Sequence, residues 1–182
     1  KQTPVQLADT LFHELRSLIE ETRSSVAVTV NTALTMLYWR VGKRISKELL
    51  QGERAAYGAE ILPTLSAKLL RDFGRGWSER NLAYMVRLAE TFPDGDILQA
   101  LSAKLSWSHF KAIIYLDDPL KRDFYAEMCR VERWSVRTLR ERIGSQLYLR
   151  TAIAKKPEAV GQAQLGQLRS DGRMTPDMVF RD

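Results

Sequence analysis

The sequence predicts an all-α fold of six or seven helices, built around a long first helix and containing a helix-turn-helix-like pair. Three observations predict it. Apolar residues recur at spacings of three and four over most of residues 5–150, neither glycine nor proline interrupts residues 5–41, and good capping residues stand where the apolar pattern restarts. A chain of 182 residues with 45% hydrophobic content can fill a core, which excludes a wholly disordered polypeptide. No apolar run approaches the ~20 residues needed to cross a bilayer and mean hydropathy is negative, so no membrane span is expected.

The first helix is marked by Leu7, Leu11, Leu15, Leu18 and Ile19, then by Leu34, Leu37, Val41, Ile45 and Leu49. Its middle, SSVAVTVNT, is β-branched and alternates with the period of a strand. Helical flanks and the absence of a breaker decide for helix. A pattern much longer than ~25 residues usually belongs to a long packing helix or a coiled-coil partner, so a homodimer through this helix is expected. Residues 51–58 (QGERAAYG) read as a polar link. The second helix, from about Gly58 to Asp72, buries Ile61, Leu62, Leu65, Leu69 and Leu70, and its Pro63 is tolerable only near the first turn.

The stretch FGRGWSERNLAYMVRLAETF (residues 73–92) is a glycine-punctuated turn followed by a helix. Ser78 caps that helix, and Leu82, Met85 or Val86, and Ala89 form its buried face. After a PDGD turn, a short helix covers about Ile97 to Ala103. Another starts around Leu105-Ser106-Trp107-Ser108 and leads to Phe110, Ile113, Ile114 and Leu116. Asp117-Asp118-Pro119 stops that helix and caps the next, lined by Phe124, Met128 and Val131. Ser135 caps the last, with Val136, Leu139, Ile143 and Leu147 inward. Three helices thus begin at a Trp-Ser pair (Trp77-Ser78, Trp107-Ser108, Trp134-Ser135), where the indole can act as a hydrophobic staple. Residues 1–150 therefore make one helical domain. Residues 151–182, rich in Lys, Pro, Gly, Gln and Ser, carry no core pattern and read as a linker.

Candidate chemistry is sparse. The two histidines, His13 and His109, fall on different helices and no Cys/His spacing supports zinc, so no metal ligand is assigned. Ser106, Ser108 and His109 place hydroxyls near an imidazole, but adjacent helix positions do not face one another. Gly74-Arg75-Gly76 lacks the strand and the Gly-Lys-Ser/Thr ending of a phosphate loop. Glu20-Glu21 lies on a helix face and Asp117-Asp118 at a helix start, where negative charge is favourable. Cys129 is a lone cysteine in a helical context, which rules out a disulfide framework and fits a reducing, cytoplasmic compartment. No catalytic residue and no cofactor site is expected in this segment.

What remains is basic and aromatic. The chain carries 28 Lys and Arg against 22 Asp and Glu, a net charge of +6, which fits nucleic acid as a partner. On the helix after Ser78, Arg80, Tyr84 and Arg87 share a face away from Leu82, Val86 and Ala89, with Asn81 in the first turn and Arg75 just before it. Arginine, asparagine and tyrosine on such a face suit phosphates and base edges. Arg130, Arg133, Arg137 and Arg140 form a second cluster that can reach phosphates from another side. The expected nucleic-acid-binding set is Arg75, Arg80, Asn81, Tyr84, Arg87, Arg137 and Arg140, with DNA as the partner. The rival reading makes the chain a dimerisation or adaptor module without direct DNA contact, its arginines merely solubilising. Clustering of Arg75, Arg80, Arg87, Arg137 and Arg140 on one face would favour DNA, and scattering would favour the adaptor.

The ordered motifs LYWRVGKRI, GERAAYGAEILPTLSAKL, FGRGWSERNLAYM, LSWSHFKAII, DPLKRDFYAEM and WSVRTLRERIGSQLY closely resemble the N-terminal region of the YhcG family, bacterial proteins regarded as PD-(D/E)xK nucleases. The resemblance covers about Leu11 to Arg150. It implies a helical N-terminal domain with a DNA-binding role, followed by a nuclease domain. The tail TPDMVFRD resembles the lead-in to that second domain, but Pro176-Asp177 is not followed by a Glu-x-Lys arrangement, so the nuclease site is expected outside this chain.

Overall fold

The structure, a computed structural model, describes residues 4–50 and 58–151, together with residues 163, 165–167 and 170. Its order is α1 (Pro4–Leu50), α2 (Gly58–Phe73), α3 (Glu79–Thr91), α4 (Gly95–Ser102), α5 (Trp107–Ile113), α6 (Pro119–Glu132) and α7 (Val136–Gly144), closed by a 3₁₀ turn, Leu147–Arg150. No strand occurs among the described residues, and the all-α class holds. The polar link at 51–57 lies outside them.

The strand-like middle of α1 is helix. Within it Thr29 turns its hydroxyl back onto the preceding turn, Oγ1 donating to the Ser25 carbonyl at 3.0 Å, and Thr22 just before it does the same to Leu18 at 2.8 Å. Arg16 and Glu20, four apart, add an ion pair at 2.8 Å. The helix changes character at Asn31. Every residue from 11 to 30 is exposed, whereas from Asn31 onward one side of α1 packs on the domain. Asn31 Nδ2 donates to the carbonyls of Ser102 (2.7 Å) and Leu105 (2.9 Å), and Trp39 Nε1 donates to Phe92 at 2.8 Å.

The docking face keeps Val41 and Ile45 of the stripe that the sequence predicts but not Leu34 and Leu37. Leu34 and Leu37 are exposed, and the buried positions are Thr35, Gly42, Ile45 and Ser46. The reason is close approach. A Cβ built on Gly42 would stand 1.8 Å from the Met85 carbonyl oxygen, so the backbones of α1 and α3 touch where they cross, and only small residues fit there.

Pro63 sits in the second turn of α2 rather than the first. Between α2 and α3, Gly74 and Gly76 take φ of 75° and 115°, left-handed values that glycine reaches without strain. Ser78 caps α3, its Oγ accepting from the Asn81 N–H at 3.3 Å. Leu82, Met85 and Leu88 are fully buried, with Val86 and Ala89 at the margin of that face. Asp118 and Pro119 start α6 and Ser135 starts α7, as the sequence indicates.

The Trp-Ser device holds at two of its three places. Trp77 precedes the cap Ser78 and packs on the cluster containing Leu82, the fourth helical residue. Trp134 precedes the cap Ser135 and packs on the core that holds Leu139 in the same relation. At the third the cap is Ser106, so Trp107 is the first helical residue and not a staple. The reason is His109, whose imidazole reaches back to Ser106 in place of the usual Glu or Gln.

A main core unites α3 to α7, with Phe110, Ile113, Ile114, Phe124, Tyr125 and Leu139 fully buried. A smaller cluster of Ile45, Leu82 and Met85 joins α1, α2 and α3. Tyr125 Oη donates to the Arg142 carbonyl at 3.1 Å and accepts from the Tyr148 N–H at 3.2 Å, which pins the closing turn; burial raises its phenol above the ordinary value. Cys129 is core, and burial pushes its thiol up to about 12, so it is no nucleophile. Leu165, in the stretch that reads as linker, is also buried in the main core.

Candidate nucleic-acid interface

The candidate site is assembled by the α2–α3 turn. Ser66 Oγ on α2 donates to the Trp77 carbonyl at 2.9 Å, and Asn81 Nδ2 donates to the Gly76 carbonyl at 2.5 Å, so both helices grip the same turn. Asn81 Oδ1 in turn accepts from Trp107 Nε1 at 3.1 Å, which ties the turn to α5. The amide that suits a base edge by its chemistry is thus committed to holding two elements together.

The outward face of α3 behaves differently. Arg80 is exposed and donates Nε to Tyr84 Oη at 3.0 Å, its guanidinium 5.8 Å from the Tyr84 ring. Lys111, on α5, places its ammonium 5.8 Å from the same ring. Among the described residues, neither cation has a carboxylate partner. Arg87 is more constrained. Its Nε donates to the Ile114 carbonyl at 3.2 Å, and its guanidinium faces Asp117 at 3.6 Å and Glu90 at 4.0 Å. These pairs are exposed enough to contribute at most ~1 kcal/mol, so a phosphate can compete for the arginine. Tyr115 bridges the group, 5.9 Å from the Tyr84 ring and 5.9 Å from the Arg87 guanidinium.

The sequence-predicted residues do not all meet. Arg80, Asn81 and Tyr84 line one open cleft of about 560 Å³, whose far wall is Tyr38 and Trp107. Arg87 continues the same face outside it, and Arg75 stands exposed in the turn between the two glycines. Arg137 and Arg140 belong to α7 and line no part of the cleft; Arg137 pairs with Glu141 of its own helix at 3.0 Å. Arg130 is held 2.7 Å from the buried carboxylate of Glu127, and Arg133 forms the left-handed end of α6.

Sequence reasoning missed Lys111, Tyr115, Tyr38 and Trp107 as members. A signal existed for the first two. With Phe110, Ile113 and Ile114 inward, Lys111 and Tyr115 stand four apart on the outer side of α5 and its following turn.

The hydroxyl–imidazole pair is real but structural. Ser106 Oγ lies 2.8 Å from His109 Nδ1, three residues on, a spacing that does face on a helix start. Because a carbonyl only accepts, His109 Nε2 donates to Trp134 O at 2.9 Å, and Nδ1 accepts from the Ser106 N–H at 3.1 Å. The ring joins α5 to the segment before α7, and among the described residues no carboxylate is hydrogen-bonded to it. Among the described residues, no group of three or more His, Cys, Asp and Glu could hold a metal ion, and no helix is long and apolar enough to cross a membrane.

Residues 14–150 match the DUF1016 N-terminal domain. The chain is also similar to the protein named "Putative nuclease YhcG" of Escherichia coli strain K12, at 28% identity over 207 aligned residues. That alignment covers 97% of this chain and 53% of the relative, so the chain spans about half the length of the curated relative it matches. No solved structure matches it significantly.

Proposed function

This chain belongs to the DUF1016 N-terminal domain family, and we propose that it binds DNA through the basic, aromatic face of α3 and α5, positioning a C-terminal nuclease domain of the PD-(D/E)xK type on its substrate. The observation that carries the reading is the pairing of Arg80 and Lys111 around Tyr84, two cations supported by an aromatic ring and not by carboxylates. Phosphate contacts of this kind fix register on DNA, and α2 and α3 are its helix-turn-helix-like pair. Arg75 and Arg87 extend the face, and Arg137 and Arg140 reach the DNA backbone from α7. The similarity to a protein whose name says nuclease supports nucleic acid as the ligand. A cytoplasmic setting fits the single, core-buried Cys129.

The same reading includes a homodimer through α1. Leu11, Phe12, Leu15, Leu18 and Ile19 are all exposed on one half-helix, an apolar surface that a second copy would cover. That observation alone also favours the rival, an adaptor module that never touches DNA. Titration of the chain with duplex, branched and single-stranded DNA over a series of salt concentrations separates them. The DNA reading expects affinity to fall linearly on a log–log plot as salt rises, with a slope that counts phosphate contacts. Absence of binding to every form at low salt leaves the adaptor.

A further inference from the structure

We propose that the cleft between α1, α3 and α5 takes one unpaired nucleotide of DNA, its base against the aromatic walls and its phosphate between Arg80 and Lys111. The proposal rests on the DNA-binding reading above and specifies the form of DNA the site selects. The cleft, about 560 Å³ and open to solvent, has room for a single base against its rings.

Three rings line it, one from each helix. Tyr38 comes from α1, Tyr84 from α3 and Trp107 from α5, and each is half-buried, so part of each ring remains open. Tyr38 and Trp107 lie 5.0 Å apart at a 53° tilt, which offers a base two differently inclined surfaces. The rings are held in advance. Trp107 is fixed through its Nε1 on Asn81, and Tyr84 through its hydroxyl on Arg80. Pre-set aromatic side chains lose little freedom on stacking, and every base has a face on which to stack.

The charges fit the same ligand. Arg80 and Lys111 both lie over the Tyr84 ring, 5.8 Å from its centre, so a base stacked on Tyr38 and Trp107 would have its phosphate beside this pair of positive charges. A duplex buries its base faces inside the stack. Aromatic walls set inside a cleft can therefore engage only a nucleotide that has left the helix, at a single strand, an overhang or a junction.

The test is fluorescence anisotropy with the 182-residue chain on three labelled DNAs: a blunt duplex, the same duplex with a single-stranded overhang, and the overhang strand alone. A 2-aminopurine in the overhang reports stacking. The overhang duplex is expected to bind about tenfold more tightly than the blunt one, with the 2-aminopurine quenched on binding. Tyr84→Leu and Lys111→Ala should each shrink that preference to about twofold or less. Circular dichroism checks the fold of each variant, and Lys111→Ala, at a half-exposed lysine, keeps the test decisive if Tyr84→Leu misfolds. Equal affinity for blunt and overhang DNA, or a preference that survives both substitutions, overturns the cleft assignment and leaves duplex binding standing. Failure to bind any of the three overturns the DNA reading and this proposal with it.

Discussion

The two halves of α1 share one uninterrupted helix and have opposite fates. From Asn31 onward the helix is docked, with two side-chain amide bonds to the end of α4 and beyond, an indole bond to Phe92 and a backbone crossing at Gly42. From residue 11 to residue 30 it touches nothing deeply enough to bury a single side chain, although Phe12 and Leu18 are large, apolar and each 60% exposed. The docked half packs Met36, Tyr38, Trp39, Val41 and Ile45 on the cores and crosses α3 at small residues, whereas the exposed half displays its apolar side chains outward. The difference teaches that docking inside this domain is specified by close fit and directed hydrogen bonds, while the leucine-rich half is shaped for a surface outside it.

The largest effect should come from the crossing. In Gly42→Ala the new methyl meets backbone atoms of Met85, which cannot swing aside as a side chain could, so α1 and α3 must separate. Overpacking of this kind costs up to about 3 kcal/mol. Alanine's better helix propensity returns about 1 kcal/mol, leaving a net loss of up to about 2 kcal/mol in urea denaturation. A variant as stable as the parent would show that the two helices do not cross in contact.

Next comes the boundary itself. Asn31→Ala removes both donors from the carbonyls of Ser102 and Leu105, and part-buried acceptors left unpaired should cost about 2 kcal/mol. An unchanged denaturation midpoint would move the start of the docked half toward Thr35. On the other side of the boundary the sign of the experiment reverses. Leu15→Ser with Ile19→Ser should shift unfolding of the monomer by less than about 0.5 kcal/mol, since both side chains are exposed already. The same pair should abolish association seen by light scattering on the order of tens of micromolar. A parent chain that is monomeric at that concentration would mean that the exposed half serves something other than a second copy.

The sequence carried the local rules well. Ser78, Asp118-Pro119 and Ser135 cap helices because a side-chain oxygen before an apolar run satisfies orphan N–H groups whatever the tertiary context. Leu82, Phe124 and Leu139 are fully buried because helical period and burial coincide there. Gly74 and Gly76 adopt the left-handed values that a sharp reversal demands. What could not be read was anything set by the meeting of distant segments. Leu34 and Leu37 fit the predicted stripe, yet the contact is made by Thr35 and Gly42, because helix–helix approach selected for small size. Trp107 has the sequence setting of a staple, but the cap is Ser106, one residue earlier, closed by the His109 imidazole. The candidate site was half legible for the same reason. Arg80 and Tyr84 share a face by spacing alone, whereas Lys111 and Tyr38 join them only through packing of α5 and α1 against α3. Asn81 shows the converse, a residue of suitable chemistry whose amide the fold had already engaged.

The contrast between docked and outward surfaces recurs on α3, and there the smallest stability effect is paired with a clear binding effect. Leu82, Met85 and Leu88 hold the helix in place, and Arg80 and Arg87 stand on its other side. Arg80→Ala with Arg87→Ala forfeits one bond to Tyr84, one to the Ile114 carbonyl and two partly exposed ion pairs. Each exposed contact contributes ~1 kcal/mol at most, so the fold should persist with only a slightly lowered melting temperature. Duplex binding should respond far more. Each arginine that neutralises a phosphate contributes about one unit to the salt slope, so the slope should fall by about one to two units and affinity at low salt should drop with it. Among the described residues Arg80 has no carboxylate partner to displace whereas Arg87 has two, so Arg80→Ala alone should account for the greater share of the loss. Unchanged affinity and slope in the double variant would reduce α3 to a core helix with a solvated outer face, and the exposed half of α1 would then be the working surface of the domain.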